Sequence, residues 1–250
     1  MYLCINKVIK TMETKKKYKL TDSAIEFNGV TLYRIKALKD FSSIKAGDLG
    51  GWIEKEDNLS QTDNAWIGGD AKVCGNAIVE GNAEVFGDAI IYDNAEVYGN
   101  ARIYDNAWVY GKSNVFGNAR ICNNAKVYGD ARVHNHAMVG DNASVFDNAR
   151  VYGNARIYGD AKVLGDVEVF GEVEICGNAV VCDDADYIVF KNFWSSKRYF
   201  TWTKSNNMWK VGCFYGTGKE LIEKAYADSE KSGKEYEKIV RYVDSILAYK

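Results

Sequence analysis

The chain has 250 residues, with 32 Lys and Arg against 34 Asp and Glu, a net charge of -2, six cysteines and no proline. So even a balance excludes bulk electrostatic attraction to nucleic acid or a membrane surface, and any charged contact must be a local patch. No stretch approaches the roughly 18 apolar residues of a membrane span, and the cysteines form no C-x-x-C pair or zinc spacing. The expectation is a soluble cytoplasmic protein with reduced thiols, no metal and no cofactor.

From the N-terminus, Met1 to Lys17 carries lysines without the continuous apolar core of a secretion signal, and a second methionine, Met12, opens "METKKKYKL". Residues 1–17 read as a flexible extension. Residues 18–62 read as an N-terminal β cap. In "AIEFNGVTLYRIKAL" two strand-like runs flank Asn28-Gly29, a strong hairpin signal, and "KAGDLGGWIEKEDNLS" leads onward.

A six-residue period then runs from Asp63 to Ile188, 126 residues or 21 hexads, as in "GNAEVF" and "GNARIY". The third position is Ala except at Ser113, Val167 and Val173, and the fifth is Val or Ile except at Tyr187. Positions three and five share a face of an extended strand, so they point inward while the fourth points out. Gly, Asn or Asp in the first two positions supply the corner, because these residues best tolerate positive φ.

These hexads resemble the hexapeptide repeats of left-handed parallel β-helices, in which three hexads make one triangular coil; the left hand is implied by the resemblance alone. The fold class expected is therefore mainly β: seven coils, about 34 Å long at a strand spacing of roughly 4.8 Å. Stacking by 18 residues aligns the sixth positions into ladders. One is Phe86, Tyr104, Cys122, Gly140, Tyr158, Cys176; another is Cys74, Tyr92, Tyr110, Tyr128, Phe146, Leu164, Cys182; the third is Tyr98, Phe116, His134, Tyr152, Phe170. Cys122 and Cys176 fall three coils apart, too far for a disulfide.

Residues 189–250 read as a C-terminal α+β domain. "RYFTWTKSNNMWKVGCFYGTG" suggests a hairpin about Asn206-Asn207, and two helical stretches follow, with Leu221, Ile222, Ala225 and then Tyr236, Ile239, Val240, Val243, Ile246 at helical spacing. "GTGKE" (216–220) echoes a phosphate loop, but its glycine spacing is wrong and Glu220 stands where a Ser or Thr would hold magnesium; a turn into a helix is expected. The segment "TLYRIKALKDFSSIKAGDLGGWIEKEDNLS" and the C-terminal tail are similar to modules flanking hexapeptide repeats in phage and prophage proteins.

The hexapeptide resemblance also implies acyltransferases, which place a histidine between neighbouring subunits of a trimer to deprotonate an acceptor. Here His134 takes a ladder position and His136 replaces an asparagine in the corner line Asn82, Asn100, Asn118, Asn154. Both are explained by the repeat, and no projecting loop walls a donor pocket, so no catalytic residue is assigned. The carbonic anhydrases of this fold need three zinc histidines. The outward positions supply Arg102, Arg120 and Arg156 on one face and Arg132 and Arg150 on another, candidates for anionic contacts. Trp108, Trp202 and Trp209 are candidate aromatic anchors, the last two read more readily as core.

Joined to the phage-like termini, this gives the expected function: a non-enzymatic phage or prophage binding protein, a counter-defence inhibitor such as an anti-CRISPR acting on a Cas nuclease or its nucleic acid. Its partner would be a host protein or ribonucleoprotein complex in the host cytoplasm, with no membrane contact. The alternatives are an acyltransferase-like enzyme using His134 or His136, and a homo-oligomeric spacer or assembly rod built on the aromatic ladders.

Overall fold

The structure, a computed structural model, describes residues 16–192 and 197–248. Residues 1–15, most of the expected N-terminal extension, lie outside these. The chain enters at Lys16 and forms an antiparallel hairpin of β1 (Tyr18–Phe27) and β2 (Val30–Ala37) around Asn28 and Gly29, both at positive φ. β2 pairs antiparallel with β3 (Leu49–Ile53), and β3 is the first strand to run parallel to the repeats, Trp52 facing Lys72 and Ile53 facing Val73.

Twenty two-residue strands follow, β4 to β23, one at the fourth and fifth positions of each hexad from Trp66–Ile67 to Val180–Val181. Successive coils pair parallel and in register at 18-residue offsets, giving three sheet faces and a parallel β-helix of about seven coils. Each corner opens with a residue at positive φ. Most are glycines, and Asp93, Asp105, Asn123, Asn135, Asp141 and Asp147 adopt the same conformation at φ 54 to 62°. The amides of positions two, four and six donate to carbonyls one coil later, as in Asn100 to Gly117 (2.7 Å), Arg102 to Ala119 (2.9 Å) and Tyr104 to Ile121 (3.0 Å). The inward Ala and Val or Ile side chains form one continuous core. Ser113, the polar exception, is buried and donates its hydroxyl to Tyr110 O at 2.8 Å.

Two boundaries differ from the hexad count. The helix begins before Asp63, since β3 and the bridge between Leu59 and Val79 already pair with the coil above, at an offset of 20 residues. Two extra residues in the first coil hide it from an 18-residue search. At the other end the twenty-first hexad forms no side of the triangle: Asp184–Asp186 is a 3-10 turn, and Tyr187 starts β24 (Tyr187–Lys191), two residues before the expected C-terminal unit.

β24 opens a four-stranded antiparallel sheet with β25 (Tyr199–Thr203), β26 (Met208–Val211) and β27 (Phe214–Gly216), two strands more than the hairpin expected. Helices α1 (Gly218–Asp228) and α2 (Glu230–Ala248) pack on it through Leu221, Val240 and Val243. Thr217 caps α1, accepting from the Glu220 amide while the Glu220 carboxylate accepts from Thr217 N, so "GTGKE" is a helix start. Trp202 and Trp209 are each 1% exposed within this core, which corrects their reading as surface anchors. None of the described helices is long and apolar enough to cross a membrane.

Candidate functional site

The hexad makes side-chain placement on the rod surface a matter of arithmetic. Outward fourth positions one coil apart stand side by side, so one face carries, in order, Trp66, Glu84, Arg102, Arg120, Met138, Arg156 and Glu174. Arg102 reaches Glu84 at 2.8 Å and Arg156 approaches Glu174 at 3.9 Å. Arg120 has no ion pair among the described residues. Three hollows follow one another along this face. The first, about 530 Å³, is lined by Glu84, Phe86, Arg102, Tyr104 and Arg120. The second, about 270 Å³, holds His136 with Asn118, Arg120, Met138, Asn154, Arg156 and Glu172. The third, about 480 Å³, lies where the C-terminal sheet meets the rod.

The other candidates lie elsewhere. Arg132 and Arg150 are neighbours on a second face, where Arg150 pairs with Glu168 at 3.1 Å, and Tyr152 also donates its hydroxyl to Glu168. Trp108, on the third face, packs edge-on to Tyr92 and carries the Lys126 ammonium 5.5 Å above its ring. The fold therefore gathers Arg102, Arg120 and Arg156 and separates them from Arg132, Arg150 and Trp108.

The two histidines have different surroundings although they are two residues apart. His134 is an inserted ring, stacked between Phe116 (4.7 Å between centroids) and Tyr152 (5.0 Å). His136 is exposed at a corner and interrupts a chain of amide contacts. Asn64 donates to Asn82, Asn82 to Asn100 and Asn100 to Asn118, each at 3.0–3.2 Å, and the line resumes with Asn154 donating to Glu172 at 2.6 Å. Residues that repeat arithmetic alone passes over are Lys210, Gly212 and Cys213, brought beside Tyr158 and Glu174 by the C-terminal sheet. Burial raises the Tyr158 hydroxyl well above the usual phenol range, reinforced by Cys176 and Glu174, and burial likewise pushes the Cys122 thiol up.

A parallel solenoid of hexapeptide coils with three sheet faces defines the class: a β-helix repeat protein. A family described as YdcK Beta solenoid repeat matches residues 95–111, 119–135 and 149–165. A curated relative, the Uncharacterized acetyltransferase YdcK of Escherichia coli (strain K12), is 37% identical over 60 residues, covering 21% of this chain. The match spans 18% of that relative's length. Its name is an enzyme's, and it overturns the expectation of a non-enzymatic counter-defence protein acting on a Cas nuclease. The alternative set beside it, an acyltransferase-like chain, is the one these findings favour.

Proposed function

We propose that the protein is an acyltransferase-type β-helix protein in which His136 is the general base. Among side chains an imidazole is the one suited to take and return a proton near neutral pH. The imidazole removes a proton from an amine or hydroxyl acceptor, whose nitrogen or oxygen then attacks the carbonyl carbon of an acyl thioester. The carbon–sulfur bond breaks and the departing thiolate takes the proton back from the imidazolium. Arg120 and Arg156, on either side of Met138 in the same hollow, are suited to an anionic portion of the donor. The observation that carries this reading is the exposure of His136 in a hollow with two arginines, set against the enclosure of His134 between two rings.

The test is thiol release from acetyl-coenzyme A with a panel of amine and hydroxyl acceptors. His136→Ala is expected to lower the rate by about 10²–10⁴-fold, the usual worth of a positioned base, while His134→Phe keeps the ladder and the rate. Equal rates for His136→Ala and the parent chain, or no acceptor-dependent thiol release from the parent, would remove the proposal.

A further inference from the structure

We propose that the face carrying Arg132 docks against the same face of a second copy of this chain, the two rods lying antiparallel. On this face the outward fourth positions are, coil by coil, Ile78, Glu96, Asn114, Arg132, Arg150 and Glu168. The sixth positions share the parity of the fourth and emerge beside them as a second column. That column begins with Glu80 and continues as the ring stack from Tyr98 to Phe170. The Tyr152 hydroxyl donates to Glu168, so the two columns touch. The rings present their edges to solvent, and Ile78 and Phe170 at the two ends are 40% and 52% exposed. Exposed aromatic and aliphatic groups beside charges are a composition suited to a protein interface.

The charges select the partner and its direction. From the N-terminal end, successive levels of this face are negative (Glu80), negative (Glu96), neutral (Asn114), positive (Arg132) and positive (Arg150). Arg150 is paired with Glu168 at 3.1 Å, whereas Glu80, Glu96 and Arg132 have no ion pair among the described residues. An antiparallel copy related by a twofold axis through Asn114 sets Glu96 against the partner's Arg132, and Arg132 against the partner's Glu96. The same axis brings Glu80 to the level of the partner's Arg150, Asn114 to the partner's Asn114, and Tyr98 to the partner's His134. Parallel docking through this face would instead put like charge on like. Neither of the other faces complements itself. One carries Lys72, Lys126 and Lys162 in its fourth positions and no carboxylate. On the other, with Arg102, Arg120 and Arg156, every antiparallel overlap of five coils or more sets an arginine against an arginine. The corner charges Asp93, Lys112 and Asp130 are exposed at the rim of the docking face, where salt screens them.

The overlap is roughly 24 Å high at a strand spacing of about 4.8 Å, and roughly 15 Å wide at about 3.3 Å per residue. So small an area lies below the standard protein interface, and a weak, exchanging dimer follows. The inference does not depend on acyl transfer, since the hollow of His136 opens on a different face. Analytical ultracentrifugation of the full chain over a concentration series reads it directly. A monomer–dimer equilibrium with a Kd of about 10–100 µM is expected, weakening as salt is added. Glu96 and Arg132 are exposed, so exchanging them leaves the core intact. Arg132→Glu alone sets carboxylate against carboxylate at two symmetric contacts and should weaken the dimer at least about tenfold, as should Glu96→Arg alone. Both changes in one chain restore the complementarity and should return the Kd to within about threefold of the parent. Arg102→Glu, on another face, should leave it unchanged. A chain that stays monomeric to about 300 µM, a trimer in place of the dimer, an Arg132→Glu chain that dimerises as tightly as the parent, or a double exchange that does not recover the dimer would each overturn the assignment.

Discussion

At the mouth of the rod the ammonium of Lys17, fully buried, donates to Ala65 O at 2.8 Å and to the Asp63 carboxylate at 3.3 Å. The residue assigned to a flexible extension is thus built into the first coil. Burial pulls the Lys17 ammonium below the usual lysine value, with Asp63 opposing. Burial pushes the Asp63 carboxyl up, but hydrogen bonds from Ser60 and from the Gly81 and Ala65 amides, together with the Lys17 charge, hold it below the ordinary carboxylate range. A carboxylate whose folded pKa is depressed contributes stability that is complete above its unfolded value, near pH 4, and is lost as pH falls through the folded one. The thermal midpoint should therefore fall below about pH 4, with a smaller fall in Asp63→Asn, as read by a pH series of melting curves. Asp63→Ala strands a buried charge and should cost about 3 kcal/mol at neutral pH, whereas Lys17→Met, which removes the desolvated charge, should cost less than 1 kcal/mol or stabilise.

The stacked ladders are the elements in which local sequence and long-range structure agree most closely. Tyr98, Phe116, His134, Tyr152 and Phe170 form one unbroken stack, and Tyr92, Tyr110, Tyr128 and Phe146 another. Each inner ring is stabilised by both neighbours, at about 0.5–1.5 kcal/mol per pair beyond the area it covers. Phe116→Ala removes two stacks and leaves a gap, so a loss of about 2–3 kcal/mol is expected in chemical denaturation, against little change in Phe116→Tyr. Equal stability of the two variants would mean that the rings merely sit side by side. The corners add a second device. Where the first position is Asp, as at Asp93, Asp141 and Asp147, its carboxylate accepts the amide of the first position one coil later, at 3.0–3.3 Å.

For the molecule as a whole the problem is the open end. In the repeat each coil's outward amides are met by carbonyls of the next, so the last coil has no backbone partner for them. The C-terminal segment supplies side-chain oxygens instead: Asp184 to Glu168 N (3.2 Å), Thr201 to Glu174 N (3.2 Å), Ser205 to Val180 N (2.7 Å) and Asp186 to Cys182 N (3.0 Å). Truncation after Cys182 uncovers all four amides at once. The expected outcome is concentration-dependent association seen by light scattering, since a second chain's carbonyl edge can then add to the exposed coil. A truncated chain that stays at its starting mass would show that this edge is protected by something other than the cap.

The sequence by itself determined the solenoid, the neighbours on each face and the composition of the ladders. A six-residue period turns distance along the chain into position in space, so Arg102 beside Arg120 and His134 between Phe116 and Tyr152 follow from counting by 18. Counting fails where the period does. It missed the first coil, whose two extra residues break the offset, and overran into Asp183–Ile188, whose hexad pattern leads into the antiparallel sheet. Only the tertiary structure decided that Trp202 and Trp209 are core, that Lys17 is buried, and that Lys210 lies beside Glu174. The physical reason is the same in each case: within the helix every contact is to the next coil and repeats, whereas the two caps are held by non-repeating contacts between residues far apart in the chain.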